Sequence, residues 1–401
     1  MSAVRQRGGR LARAAFGAGL ILSLVLAAGP AVGLPEASVG AVSVVGQAAA
    51  TGCTTAFASA PRLAPRTAFV SLAGPPFGIA VTPDNRWSFV AESGNGKLAV
   101  LSIVGFRPRL VRTVGVPTGV QGSSLTRDGR YLLVADGGDG ATVVSVSRAK
   151  TGVGRAVLGS LSQPDSGSGG AIEVASSPDG RYAFVSVEYE ARIAVYDLKA
   201  ALASHFSRSS YVGSIPVGQL VDGLAVSPDG RWLYATSEVG SLSVIRLATA
   251  KHRPARSVVS NVPAGCNPTR VTASPDGRTV WVAARGGDQL LAFSATKLRA
   301  DPTHSQRAVV QVGEAPVGLV LINGGRELIV ADSNRFATPG AVADLTVVHT
   351  AAALAHHRAL VGTIRTGIFP REIAVEPGRP ALLVGNFGSN QLEAVDLRRL
   401  R

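Results

Sequence analysis

The chain has 401 residues, of which 46% are hydrophobic and 16% charged, enough apolar material for a large core and too little charge for a disordered polymer. Its formal net charge is +14, reduced to +10 when Arg5, Arg7, Arg10 and Arg13 leave with an N-terminal signal. That excess favours anionic neighbours. The arginines are scattered along the chain and no base-reading or stacking motif accompanies them, so sequence-specific nucleic-acid binding is not expected.

Residues 1–33 read as an export signal: an arginine-bearing start, an apolar run from Ala14 to Ala28, then small residues around Gly29-Pro30-Ala31-Val32-Gly33. A secreted or envelope-facing chain is expected, with an uncleaved anchor as the alternative. After signal removal no stretch approaches a membrane span. Residues 34–65, rich in Ala, Val, Gly and Ser, are expected to form a flexible leader. An exported chain with two cysteines, Cys53 and Cys266, invites a disulfide between them. Two unrelated thiols, or lipidation at Ala50-Thr51-Gly52-Cys53, are the alternatives.

From residue 66 to the C-terminus one unit recurs: a short apolar strand, a Pro-Asp-Gly turn, a second apolar strand, a polar gap, and a third strand. Gly223-Leu224-Ala225-Val226, Ser227-Pro228-Asp229-Gly230 and Arg231-Trp232-Leu233-Tyr234-Ala235-Thr236 show it well. Pro presets the first corner, Asp bonds back to the backbone, and Gly accepts the left-handed conformation, so each turn is a hairpin. The turn position falls at Asp84, Asp128, Asp179, Asp229, Asp276, Gly324 and Gly378, at intervals of 44, 51, 50, 47, 48 and 54 residues. Seven copies at that period, with fourth strands such as Tyr211–Ile215 and Leu360–Ile364, predict an all-β, seven-bladed β-propeller of four-stranded antiparallel blades. The seventh copy has no fourth strand after Gln391–Leu397, and a spare strand, Thr67–Leu72, precedes the first copy. The N-terminal strand is therefore expected to complete the last blade and hide the open edge.

Asp222-Gly223-Leu224-Ala225-Val226-Ser227-Pro228-Asp229-Gly230-Arg231, followed by Leu233-Tyr234-Ala235-Thr236, resembles the YVTN-type propeller repeat, which also marks the lactonase-like seven-bladed propellers. The resemblance spans about residues 67 to 397. The Gly-His and Trp-Asp dipeptides of another propeller repeat are absent.

Where the repeat breaks its own rule, function is sought. Six residues before the turn anchor, beside a narrow channel, the residue should be small; it is Gly78, Gly122, Gly223 and Gly318 in four copies, but Glu173, Arg270 and Glu372 in three. One residue earlier stand Asp222 and Arg371, and second strands end in Glu92, Asp136, Glu188, Glu238, Arg285, Asp332 and Asn386. A mixed ring of carboxylates and guanidiniums is expected around one mouth of the channel, with Glu173, Arg270, Arg371, Glu372, Glu92 and Asp136 as candidate ligand-binding residues. Arg371 and Glu372 should face Glu92 across the ring closure. The same residues read equally as partnered polar groups that hold neighbouring blades together.

The resemblance implies a Gly-Pro-Arg-His stretch at such a strand start; Phe369-Pro370-Arg371-Glu372 keeps the Pro and Arg and lacks the Gly and His. On that analogy Arg371 would polarise a lactone carbonyl, and Glu92 or Glu372 would activate water. The six histidines lie in or beside third-to-fourth-strand connections, Asp136-Gly137-Gly138-Asp139-Gly140 has too few oxygens for calcium, and neither a metal nor another cofactor is expected. The first reading is a non-catalytic binding or scaffold propeller, expected as a monomer, holding a protein or an anionic envelope ligand. A lactonase-like hydrolase is the alternative, and a redox-partner subunit ranks third.

Overall fold

Each innermost strand turns into the second through a corner that its own side chains organise. In blade four, Ser227 Oγ donates to Asp229 Oδ1 (2.5 Å), which also accepts from the Arg231 amide (3.1 Å), and the Trp232 amide donates to Ser227 Oγ (3.0 Å). Burial raises the Asp229 carboxyl, but those hydrogen bonds outweigh it and hold the group below its ordinary range. The same pairing recurs as Thr82 with Asp84, Thr126 with Asp128, Ser177 with Asp179, and Ser274 with Asp276. Gly230 at φ 68° supplies the left-handed corner.

The computed structural model describes residues 53, 55–165, 167, 169–375 and 381–399. The signal assigned to residues 1–33 and the turn position Gly378 lie outside them. Seven antiparallel sheets form a β-propeller whose innermost strands are Pro76–Val81, Ser123–Leu125, Ala171–Ser176, Val221–Val226, Pro268–Ala273, Pro316–Ile322 and Pro370–Val375. In blade seven the outer strand is Arg66–Ser71, paired antiparallel with Gln391–Asp396 from Arg66↔Asp396 to Ser71↔Gln391. The ring closes as the sequence predicts, by the N-terminal strand completing the last blade.

Alternation along the strands feeds two interfaces at once. In blade one, Phe89, Ala91, Leu98 and Val100 join the cluster shared with blade two, whereas Val90, Ala99 and Leu101 join the cluster shared with blade seven. One apolar cluster fills each of the seven blade junctions. Phe89 is fully buried, and truncating it to Ala should cost about 3–5 kcal/mol.

Residues 55–63, read from sequence as leader, lie against the ring. Gln311 donates its side-chain amide to the Ala56 carbonyl (2.9 Å), the Ala58 amide donates to the Val312 carbonyl (2.7 Å), and Arg62–Leu63 adds a fifth, parallel strand to the outer edge of blade six. Gly362 permits that addition, since a Cβ there would stand 2.6 Å from the Leu63 side chain and 2.7 Å from the Pro61 carbonyl. The strand uses backbone groups that an outer edge leaves unpaired. Among the described residues, no helix is long and apolar enough to cross a membrane.

Candidate functional site

The innermost strands nearly touch at their third residue. A Cβ on Gly223 would meet the Thr269 carbonyl at 2.4 Å, one on Gly318 the Arg371 carbonyl at 2.6 Å, and one on Gly78 the Gln121 carbonyl at 2.5 Å. Glycine is therefore required there by backbone approach. At Gly122 the missing side chain leaves room for the Glu173 carboxylate, 2.4 Å from where a Cβ would sit.

The three exceptions converge on one another. Arg270 donates from Nη1 to Asp222 Oδ1 and from Nε to Glu372 Oε2 (3.2 Å), and its Nη2 lies 3.3 Å from Glu173 Oε2. One buried guanidinium thus ties blades three, four, five and seven together across the channel. Three carboxylates around a single cation are too many to stay ionised together: burial, opposed by Arg270 and reinforced by Glu372 and Asp222, pushes Glu173 up to about 8. Arg270 is raised as well, its carboxylate partners outweighing burial and fixing its charge. Beyond this cluster, towards the opposite face, the innermost strands enclose a cavity of about 290 Å³ that Glu173, Arg270 and Glu372 help to line.

A second tier stands at the mouth, where the second strands end. Arg285 donates to Glu238 Oε2 (2.7 Å), both side chains being buried. Burial, Asp222 and Glu238 push Glu188 up to about 7 against the pull of Arg371 and Arg285. Arg335 is lowered by burial and by Arg285, and raised in part by Glu238, Asp222 and Glu188.

Arg371 differs from Arg270 and Arg285. Only 8% exposed, it has no carboxylate in ion-pair range among the described residues. Its Nε has no hydrogen-bond partner, and its Cζ lies 3.9 Å from the centroid of the Phe77 ring and 5.9 Å from that of Phe387. Burial and then Arg270 bring it down to about 10, Asp222 opposing and Arg285 and Arg335 adding to the shift.

Glu92 and Asp136 do not join this assembly. Glu92, fully buried, accepts from the Asn95 side-chain amide (2.7 Å), and Asp136 accepts from the amides of Gly138 (3.0 Å) and Gly140 (3.3 Å). Each organises the turn after its own second strand. The expected meeting of Arg371 and Glu372 with Glu92 does not occur, because Glu372 turns to Arg270 and the Phe77 ring takes the face of Arg371. Asp332 and Asn386 are likewise engaged within their own blades, with Thr346 (2.5 Å) and Glu393 (2.9 Å). Arg335, Phe77 and Phe387 escaped the sequence reading. The signal for Arg335 was length, since the link from Glu327–Asp332 to Asp344–His349 far exceeds its counterparts elsewhere in the ring.

Cys53 and Cys266 form a disulfide, with Cα atoms 6.0 Å apart. Cys266 precedes the innermost strand of blade five, so the bond anchors the N-terminal segment on the mouth side. All six histidines are exposed. Among the described residues no group of three or more His, Cys, Asp or Glu is placed to hold a metal ion.

Residues 43–321 match the family described as lactonase, 7-bladed β-propeller. The chain belongs to that family. The matched stretch of this lactonase-family propeller includes Glu173, Asp222 and Arg270 and ends before Arg335, Arg371 and Glu372. No curated protein matches the chain. Among solved structures, Kuenenia stuttgartiensis hydrazine synthase aligns at 19% identity and TM-score 0.65, over 82% of this chain and 97% of that one. The β-propeller domain of Myceliophteria thermophila Cps50 (Swd1) aligns at 13% identity and TM-score 0.63, over 82% and 99%. At these identities the likeness is one of fold alone.

Proposed function

We propose that this chain is an exported, non-catalytic binding propeller whose ligand docks an anionic group on Arg371 at the channel mouth. The observation that carries this reading is a buried guanidinium without a carboxylate, whereas the buried arginines Arg270 and Arg285 are both paired. A desolvated cation without a counter-charge is costly to hold and offers a planar fork suited to a carboxylate or phosphate. The N-terminal signal pattern and the cysteine pair support export.

The hydrolase reading draws on family membership and on Glu188, whose place near neutrality beside Arg371 suits proton transfer. Against it, the carboxylates that the resemblance assigns to water activation are engaged: Glu372 with Arg270, and Glu92 with Asn95. Calorimetric titration with acetate, together with a screen of sugar lactones and simple esters, separates the two. Saturable anion binding that Arg371→Met abolishes, with no turnover, is the expected result. Lactone or ester turnover lost in Glu188→Gln would establish the hydrolase instead.

A further inference from the structure

We infer that the mouth ligand is a carboxylic acid carrying an apolar, flat body, and that Glu188 takes up a proton as the ligand's carboxylate docks on Arg371. The inference rests on the binding role assigned above to Arg371.

The apolar part follows from what surrounds the charge. Arg371 lies on Phe77, Phe387 meets Phe77 edge-on with centroids 6.4 Å apart, and Phe369 stands 5.4 Å from Phe387. Phe369 and Phe387 are half-buried, and neighbouring Ile368 is 66% exposed. Three of the charged mouth residues are also followed in the chain by an exposed apolar side chain: Glu188 by Tyr189 (64%), Glu238 by Val239 (60%), and Arg335 by Phe336 (46%). A charged centre inside an apolar rim fits a ligand with one anionic end and a hydrophobic body. Phe369 sits at φ 54°, but Leu220, Asn267 and Ala315 adopt the same conformation ahead of their innermost strands, so that backbone feature belongs to the fold and carries no part of the inference.

The proton follows from the charges that face Glu188. Asp222 and Glu238 repel its anion, Arg371, Arg285 and Arg335 attract it, and Tyr189 lies beside it on the same turn. Arg270 holds Asp222 in place and Arg285 holds Glu238 (2.7 Å), and burial, reinforced by these two carboxylates against Arg371 and Arg285, already places Glu188 at about 7. A ligand carboxylate on Arg371 adds another like charge and withdraws the compensation of that guanidinium, and a proton on Glu188 relieves both. The same two fixed carboxylates, Asp222 and Glu238, disfavour a dianion. Binding should therefore tighten as pH falls, by up to tenfold per unit while one proton is taken up.

The test is calorimetric titration of the full exported chain with 4-phenylbutyrate, butyrate, 4-phenylbutylamine and inorganic phosphate at pH 6, 7 and 8. Expected are binding of 4-phenylbutyrate at least tenfold tighter than butyrate, no binding of the amine, and roughly tenfold tighter 4-phenylbutyrate binding at pH 6 than at pH 8. Glu188→Gln should make the affinity independent of pH, and in the wild-type chain two buffers of different ionisation enthalpy should report net proton uptake at pH 7. Equal affinities for the two acids, tighter binding of phosphate, or binding without proton uptake would overturn the inference and leave the role of Arg371 intact. Failure of every anion to bind at pH 6 would overturn both.

Discussion

Arg270 and Arg371 rise from innermost strands into the same desolvated mouth, one at the third strand position and the other at the second. Arg270 arrives where Asp222, Glu173 and Glu372 converge, the Glu173 carboxylate in the space that Gly122 leaves, so its charge is shared by four blades. Arg371 arrives against an aromatic wall and among other arginines, and no carboxylate comes within reach among the described residues. Burial alone thus says nothing about whether a charge serves the fold or a ligand. The neighbours decide, and here two positions one residue apart are supplied differently.

Removing Arg270 should do the greatest damage. Arg270→Ala leaves Asp222, Glu173 and Glu372 facing one another without a cation, and a loss of about 3–5 kcal/mol is expected in the free energy of unfolding by denaturant. A loss below about 1 kcal/mol would mean that the cluster is not what holds the blades at the channel, and the contrast with Arg371 would fall.

A smaller, pH-dependent effect sharpens the same contrast. Glu173 is raised in the fold to about 8, so the stability its protonated form supports is complete below its ordinary carboxyl range and is lost as pH rises through 8. The wild-type melting temperature should fall between pH 7 and pH 9, and Glu173→Gln should flatten that fall. Identical pH profiles would show that Glu173 stays ionised beside Arg270.

Smallest should be Ser227→Ala, which removes the hydroxyl from one corner and none of the channel groups; about 1 kcal/mol is expected, with anion binding unchanged. Altered anion binding in that variant would mean that the turns and the mouth are coupled across the sheet.

The ring was legible because its rules are local. Ser227-Pro228-Asp229-Gly230 and its copies specify hairpins from four residues, and the count of copies with one spare strand dictates closure. Glu173, Arg270 and Glu372 stood out because the other four blades keep glycine at their position, three of them by close backbone approach. That Glu92 and Asp136 stand apart from the Arg270 cluster was not legible, because a second-strand end looks alike in every blade, while the partner that claims it, Asn95 or the amides of Gly138 and Gly140, is set by each turn separately. The Ser and Thr hydroxyls that bind each turn Asp also went unread, although they recur two residues before it in five blades. Arg371 was named, but its lack of a carboxylate depends on the direction of its side chain over Phe77, which no spacing in the sequence encodes.

The central claim is that Arg371 is held for a ligand and not for the fold. Its most direct test is Arg371→Met, with unfolding and acetate titration measured on the same preparation. The account predicts an unfolding midpoint equal to or above the wild type, because a buried cation without a partner has been replaced by an apolar chain, together with loss of acetate binding. A stability loss as large as that of Arg270→Ala, with acetate binding unchanged, would contradict it.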